Sequence, residues 1–219
     1  MQSAETVVVF TGGNPVVSVI WLHVLGADGL DFVPIVPELI LRSTLPISFI
    51  FPLGPIRPVS INGGMAMRAW YDILSLDTAG RADASGVQES TAILETLVNG
   101  EIERGIAANR IVIAGFSQGG AIAINAVLHS TRRLAGLMAL STYIPLPAAI
   151  DASQGHRDMP VFMAHGSLDP MLPMQWGKAS ADRRVEAGFI VEWHEYPMAH
   201  AVCPDELRDI RNWLLNVLV

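Results

Sequence analysis

The stretch IVIAGFSQGG, residues 111–120, joins an apolar run to the pattern G-x-S-x-G, and further small residues follow it. The apolar run predicts a buried strand, and the residues after the pattern predict a helix. Between them the pattern is typical of a sharp turn that lifts one side chain above the end of a sheet. The same pattern also occurs in glycine-rich turns with an incidental serine. The strand and helix on either side favour Ser117 as a nucleophile at a helix N-terminus, where amide groups and the helix dipole favour negative charge.

A serine nucleophile needs a base within hydrogen-bonding reach, and that base needs a carboxylate that orients it. In chains with this turn the order is serine, acid and then histidine. His200 follows the apolar run 190–196 and precedes the last helical pattern, so a loop could carry its imidazole over Ser117. The other histidines after Ser117 lie inside predicted helices or strands, in a polar loop, or ahead of the best acid. They are His129, His156, His165 and His194.

The best candidate for the acid is Asp169, the only carboxylate in the loop 165–170 that follows the apolar run 160–164. Pro170 disfavours the α region for Asp169 and so helps to end the turn. An aspartate that only stabilises a turn with its own side chain would fit the same position. Its place in the chain between Ser117 and His200 favours the acid. The weaker alternatives are Asp151, Asp158 and Asp205.

The rest of the chain alternates short apolar runs with helical patterns. The apolar runs occupy residues 17–22, 46–51, 110–114, 135–140, 160–164 and 190–196, and residues 6–11 predict an antiparallel edge strand. Helical patterns cover residues 85–105, 118–129 and 204–218, and residues 182–187 predict the end of a helix at Gly188. The first five runs are almost wholly apolar, which is typical of strands covered on both faces. We predict one α/β domain over residues 1–219, with a mostly parallel central sheet, helices on both faces, and a site at the carboxyl ends of the strands.

Composition excludes several classes of function. The chain has 219 residues, of which 51% are hydrophobic and 16% charged, and its formal charge is -7. An acidic chain without a basic cluster is a poor partner for nucleic acid or an anionic membrane. No apolar run approaches the roughly 20 residues that span a bilayer, and the N-terminus lacks the positive charge of a secretory signal. With only one cysteine, we expect a cytoplasmic protein without disulfides.

Cofactor-dependent chemistry is not predicted either. No G-x-G-x-x-G follows a predicted strand, so a dinucleotide is not expected. No pair of histidines has the spacing of metal ligands, so no metal is expected. The expected partner is a small-molecule ester substrate, without nucleic acid and without stable membrane insertion.

Motifs along nearly the whole chain resemble one family, the bacterial carboxylesterases related to acyl-protein thioesterases and lysophospholipases. The matching stretches are WLH at 21–23, LGADG at 25–29, RPVSINGG at 57–64, WYDI at 70–73, GFSQGG at 115–120, ALSTY at 139–143, HG at 165–166 with Asp169, and YPM at 196–198 with His200. This resemblance implies a compact α/β-hydrolase fold without a separate cap domain. It also implies metal-free hydrolysis of short to medium acyl esters or thioesters, and often a homodimer.

Two backbone amides are candidates for the oxyanion hole. The amide of Gln118 follows from the turn itself, because it is the first amide of the helix after Ser117. The second, Leu25, is implied by the resemblance. Val24 stands where the family has a glycine, and valine does not easily adopt a positive φ. We therefore expect Leu25 to donate with poorer geometry and turnover to be lower, so that glycine at position 24 would raise kcat.

The predicted reaction is carboxylester hydrolysis in two steps through an acyl-enzyme on Ser117, with His200 as base and Asp169 as the acid behind it. The resemblance also leaves acyl-protein thioesterase or lysophospholipase activity open. An alternative from another class is a binding protein on the same fold whose catalysis is impaired by Val24.

Overall fold

The computed structural model describes residues 5–39, 45–75, 77, 81–146 and 156–218. A seven-stranded sheet forms its centre. In chain order its strands are β1 (Thr6–Phe10), β2 (Val17–Leu22), β3 (Ile47–Pro52), β6 (Ile111–Phe116), β7 (Gly136–Leu140), β8 (Val161–Gly166) and β9 (Val191–Tyr196). A separate hairpin pairs β4 (Ile56–Val59) with β5 (Met65–Arg68).

The strand order in the large sheet is β1-β3-β2-β6-β7-β8-β9. Only β1 runs antiparallel, against β3, and every other pairing is parallel. Val19 in the middle of β2 pairs with Phe49 on one side and Val112 on the other. Every residue of β2, β3, β6, β7 and β8 is buried, as their continuous apolar sequences predict. The predicted mostly parallel sheet with an antiparallel edge is confirmed.

Helices cover both faces of this sheet. They are α1 (Ile35–Glu38), α2 (Ala84–Glu103), α3 (Gln118–His129), α4 (Met174–Glu186) and α5 (Pro204–Leu218). One apolar core contains side chains of α2, α3 and α4, such as Leu94 and Ile122, and the other contains side chains of α1 and α5, such as Val36 and Trp213. No helix in the described parts of the chain is both long enough and apolar enough to cross a bilayer.

The helix bounds agree with the predictions to different degrees. α3 and α5 begin and end where expected. α2 begins at Ala84 because the carboxylate of Asp83 accepts the backbone N–H groups of Ser85 and Gly86. α4 is much longer than residues 182–187, because its first turns are too polar and too mixed to show an apolar stripe. Its end before Gly188, which has a φ of 88°, is confirmed.

The hairpin of β4 and β5 is not among the predicted strands. A single 3-10 turn, Ser60–Asn62, joins the two strands, and Gly63 and Gly64 follow with φ values of 66° and 79°. The strands themselves escaped prediction because they are only four residues each and include Pro58.

Candidate active site

The turn that carries Ser117 has the conformation that its glycines predict. Ser117 has a φ of 52° and a ψ of -116°, a backbone conformation that L residues rarely adopt. A Cβ on Gly115 would lie 2.4 Å from the carbonyl carbon of Gly119. A Cβ on Gly119 would lie 2.5 Å from the carbonyl oxygen of Leu22. The absence of both side chains therefore allows β6, α3 and the end of β2 to meet, and the turn presents Ser117 at the sheet edge.

Gln118, the first residue of α3, ties this turn to a neighbouring segment. Its side-chain oxygen accepts the backbone N–H of Trp70 at 2.8 Å, and its side-chain nitrogen donates to the carbonyl of Tyr71 at 2.7 Å. Its backbone N–H is one of the first amides of the helix, which have no acceptor within the helix. This amide and the helix dipole together favour an anion beside Ser117.

Asp169 and His200, which are 31 residues apart in sequence, are brought together. The Nδ1 of His200 lies 2.6 Å from Oδ2 of Asp169, whose side chain is fully buried. The other oxygen, Oδ1, accepts the backbone N–H groups of Met171 and Leu172 at 2.8 and 2.9 Å. The two interpretations of Asp169 are thus compatible, since one oxygen stabilises the turn while the other holds the imidazole.

His200 and Ser117 line the same cavity. The imidazole of His200 packs on the ring of Phe116, the residue before Ser117, with ring centroids 4.8 Å apart. Because Nδ1 donates to Asp169, Nε2 is the nitrogen left to accept a proton. Among the hydrogen bonds of the described residues, none joins the hydroxyl of Ser117 to the imidazole of His200. Catalytic hydrogen bonds commonly tighten only when substrate is present.

Of the remaining candidates for the acid, the two that lie in the described parts of the chain, Asp158 and Asp205, pair with other residues and not with His200. Asp158 forms an ion pair with Arg133, and this hydrogen bond lowers the pKa of the Asp158 carboxyl. Asp205 pairs with Arg208 on α5. Asp151 lies outside the described residues.

One histidine that was set aside does reach the site. His165, at the end of β8, has no exposed surface, and its Nε2 lies 3.4 Å from Oδ2 of Asp169. The same Nε2 donates to the carbonyl of Leu172 at 2.9 Å. Burial lowers the pKa of His165, so it is neutral near pH 7 and braces the acid loop rather than adding charge. The sequence places His165 close to Asp169 along the chain, but only the folded loop shows that the two side chains are in contact.

The loop after β2, which carries the second candidate amide, is organised by His23. Its Nδ1 donates to the carbonyl of Val24 at 2.7 Å, and its Nε2 accepts the backbone N–H of Gly54 at 2.9 Å. In a planar trans peptide the C=O and N–H groups point in opposite directions. By holding the carbonyl of Val24, His23 therefore orients the N–H of Leu25. Burial lowers the pKa of His23, consistent with a neutral ring that both donates and accepts.

The expected strain at Val24 is wrong. Among the described residues other than glycine, only Ser117 and Ser141 have a positive φ. The positive φ in this loop falls on Gly26, at 77°, and the side chain of Val24 packs against the apolar core beside α5. Val24 thus meets no conformational barrier, and the alternative of an impaired binding protein loses its only motivation.

The cavity above Ser117 has a volume of about 140 Å³. Its lining combines the candidate catalytic residues with apolar side chains and, on one wall, two phenols and a guanidinium. The lining residues are Val24, Leu25, Ile61, Tyr71, Ile73, Arg81, Ser117, Gln118, Tyr143, Met171, Leu172 and His200. Within the described parts of the chain, no three His, Cys, Asp or Glu side chains are grouped so as to hold a metal ion.

Comparison with known proteins gives a consistent relationship. The phospholipase/carboxylesterase family profile matches residues 4–218. The chain is 38% identical to acyl-protein thioesterase 1 of Cryptococcus neoformans over 92% of each chain, and 39% identical to acyl-protein thioesterase 1 of Yarrowia lipolytica over 90% of each. The crystal structure of Arabidopsis thaliana SOBER1 superposes with a TM-score of 0.86 at 30% identity, covering 93% of this chain and 99% of SOBER1.

These relatives are eukaryotic, so they do not support the bacterial branch that the motifs suggested. The broader relationship rests on the profile and on the identity over nine-tenths of the chain. The chain therefore belongs to the phospholipase/carboxylesterase family of α/β-hydrolases, and it is a serine hydrolase.

Proposed function

We propose that this chain hydrolyses acyl esters and thioesters through an acyl-enzyme on Ser117. Ser117 attacks the carbonyl carbon while His200 accepts its proton, and Asp169 orients the imidazole and stabilises its cation. The amides of Gln118 and Leu25 bind the oxyanion. His200 then protonates the leaving alcohol or thiol. Water next attacks the acyl-enzyme by the same route, which releases the acid and regenerates Ser117.

The observation that carries this proposal is the 2.6 Å contact between Nδ1 of His200 and the buried carboxylate of Asp169, at the rim of the cavity that Ser117 lines. A buried carboxylate that holds one imidazole nitrogen leaves the other free to act as base toward a hydroxyl. The strained backbone at Ser117 supports the same interpretation, because such strain clusters at functional sites.

Two observations bear on the substrate. The relatives from Cryptococcus neoformans and Yarrowia lipolytica bear the name acyl-protein thioesterase, which favours thioesters beside oxygen esters. The cavity of about 140 Å³ is below the range of about 300–1,000 Å³ that is usual for ligand pockets. This size favours short to medium acyl groups over long ones.

A fluorophosphonate probe tests the nucleophile directly. It should label the wild-type protein with a one-to-one stoichiometry and fail to label the Ser117→Ala variant, whose fold is checked by circular dichroism. Labelling that persists in Ser117→Ala, or a wild-type protein that is not labelled, would refute the assignment.

A matched pair of peptides tests the leaving group. One carries butyrate on a cysteine sulfur and the other carries butyrate on a serine oxygen, with the same flanking residues. We expect wild type to hydrolyse both and Ser117→Ala to hydrolyse neither. Hydrolysis of the serine ester alone would restrict the proposal to oxygen esters.

A further inference from the structure

A cationic side chain lies in the wall of the cavity that holds Ser117. Arg81 lines this cavity together with Tyr71 and Tyr143, and only 8% of its surface is exposed. A guanidinium this deeply buried is unfavourable unless charge or hydrogen bonds compensate it. The mechanism proposed for Ser117 makes no use of this group.

The protein itself satisfies Arg81 only in part. One terminal nitrogen donates to the carbonyl of Ser75 at 3.0 Å, and the faces of Tyr143 and Trp176 lie 5.9 and 5.5 Å from its central carbon. The guanidinium also interacts with the hydroxyl of Tyr143. A guanidinium has five N–H donors, and these contacts do not occupy all of them. The Nε of Arg81 is buried without an acceptor. None of the ion pairs formed by described residues includes Arg81.

Two phenols extend this donor surface. The hydroxyls of Tyr71 and Tyr143 lie 3.0 Å apart, and both side chains are buried. When one hydroxyl donates to the other, the proton of the second remains available to a ligand. Burial raises the pKa of both phenols, so both stay protonated and act as donors. The wall thus offers a positive charge and a hydroxyl proton, and none of the described residues that line the cavity has a carboxylate to accept them.

We propose that Arg81, Tyr71 and Tyr143 form a carboxylate-binding subsite, so that the preferred substrates are esters or thioesters that carry a carboxylate a few bonds from the scissile carbonyl. The carboxylate belongs to either the acyl group or the leaving group. The small cavity limits the spacer to a short one, and Ile61 and Ile73 in its lining provide apolar surface for that spacer. This inference rests on the proposed hydrolase function of Ser117.

Isosteric substrate pairs test the subsite. On the acyl side, monomethyl succinate is compared with methyl succinamate, which replaces the carboxylate by a neutral amide of the same shape. On the alcohol side, 3-butyryloxypropanoate is compared with 3-butyryloxypropanamide. In wild type we expect kcat/KM for the carboxylate to exceed that for the amide by about 10- to 100-fold in one of the two pairs, the size expected for a charged hydrogen bond.

Variants locate the effect. Arg81→Gln should reduce the carboxylate-to-amide ratio to near one, Arg81→Lys should retain part of it, and Tyr143→Phe should lower it less than Arg81→Gln. The matched control is Arg57→Gln, because Arg57 is also largely buried but pairs with Glu89 and does not line the cavity. Its ratio should equal that of wild type. The ratio compares two substrates of one preparation, so partial loss of active protein does not change it.

Competition provides a measurement that needs no variant. Succinate should inhibit hydrolysis of methyl butyrate by wild type more strongly than its neutral diamide, succinamide, does. A ratio of one or less in both substrate pairs, or a ratio that survives Arg81→Gln, would overturn the subsite. Such a result would leave the hydrolase function intact if methyl butyrate is still cleaved and Ser117 is still labelled. Loss of that cleavage and labelling in wild type would instead overturn the hydrolase function.

Discussion

Two short loops supply the candidate oxyanion amides, and the protein holds them in opposite ways. In the turn before Gln118, backbone fills the space that side chains would need, and Gly119 lies against the carbonyl of Leu22. In the loop before Leu25, the side chain of His23 donates to the carbonyl of Val24 and accepts the N–H of Gly54, and the N–H of Ala27 also donates to Val24. The first loop depends on the absence of side chains at its glycines, and the second depends mainly on the shorter hydrogen bond from the side chain of His23. Substitutions in the two loops should therefore have different effects, on stability in the first loop and on kcat in the second.

The largest effect is expected from Gly119→Ala, because the new Cβ would lie 2.5 Å from the backbone oxygen of Leu22. Neither α3 nor β2 can move away without disturbing the buried sheet. We expect the free energy of unfolding to fall by about 3 kcal/mol, the upper part of the usual range for overpacking. Denaturant titration measures it.

The matched control for this substitution is Gly100→Ala in α2, where no atom lies within 4 Å of the added Cβ. Alanine is the better helix former, so this variant should gain about 0.5–1 kcal/mol in unfolding free energy. Equal destabilisation of the two variants would show that steric contact does not fix the turn.

The next largest effect is expected from His23→Leu. Without the Nδ1 donor, the carbonyl of Val24 keeps only the longer hydrogen bond from the N–H of Ala27, at 3.2 Å. The Val24–Leu25 peptide is then held less firmly, and the N–H of Leu25 is directed less well at the oxyanion. Loss of one such donor lowers kcat by about 100-fold or more. Initial rates with p-nitrophenyl butyrate measure kcat and KM separately.

His23→Asn is the matched variant, because its side-chain nitrogen can take the place of Nδ1 and donate to Val24. It should recover much of the kcat that His23→Leu loses. If His23→Leu raised KM and left kcat unchanged, the loop would serve substrate binding rather than the oxyanion.

The two loops should also differ in how their contribution to stability depends on pH. Burial lowers the pKa of His23 from its ordinary value of 6.5, so the unfolded chain binds a proton here at a higher pH than the folded protein does. Stability from this group is complete above pH 6.5 and is lost as the pH falls through the lower folded pKa, by at most about 1.4 kcal/mol per pH unit. The residues 115–120 of the other loop include no ionisable side chain.

Unfolding free energies of wild type and His23→Asn, measured at a series of pH values from neutral to acid, test this difference. His165 also has a lowered pKa and remains in both proteins, so the comparison isolates His23. The wild-type curve should fall more steeply below pH 6.5. Parallel curves would exclude His23 as a source of acid sensitivity.

The same contrast explains what could be predicted from the sequence. The turn at Ser117 needs close backbone contacts between neighbouring residues, and the glycines around it show in the sequence that such contacts are possible. The placement of Asp169 and His200 at neighbouring strand ends follows from the alternation of strands and helices. The bond from His23 to Gly54 joins residues 31 apart in sequence, and the contact of His165 with Asp169 depends on how one loop closes. Neither has a periodic or compositional signal.

The cavity wall around Arg81 could not be predicted from the sequence either. Tyr71, Arg81 and Tyr143 come from three separate segments, and only the folded chain places them on one cavity wall. Nothing in the spacing of these residues distinguishes a buried arginine from an exposed one. Sequence patterns therefore indicate the candidate nucleophile, base and acid, but they give no signal for the groups of the proposed subsite.

The smallest effect is expected from Val24→Gly, although the sequence alone suggested that glycine here would raise kcat. Val24 does not have a positive φ, and the carbonyl of Val24 is already held by His23. Glycine would relieve no strain, and it would remove apolar contact and add freedom to the unfolded chain, at a cost of about 1 kcal/mol in stability. Because the donor N–H belongs to the peptide that His23 orients, we expect kcat on p-nitrophenyl butyrate to stay within about threefold of wild type, a difference below 1 kcal/mol in barrier height. A tenfold rise in kcat would mean that the side chain at position 24, and not His23, sets the direction of the Leu25 amide.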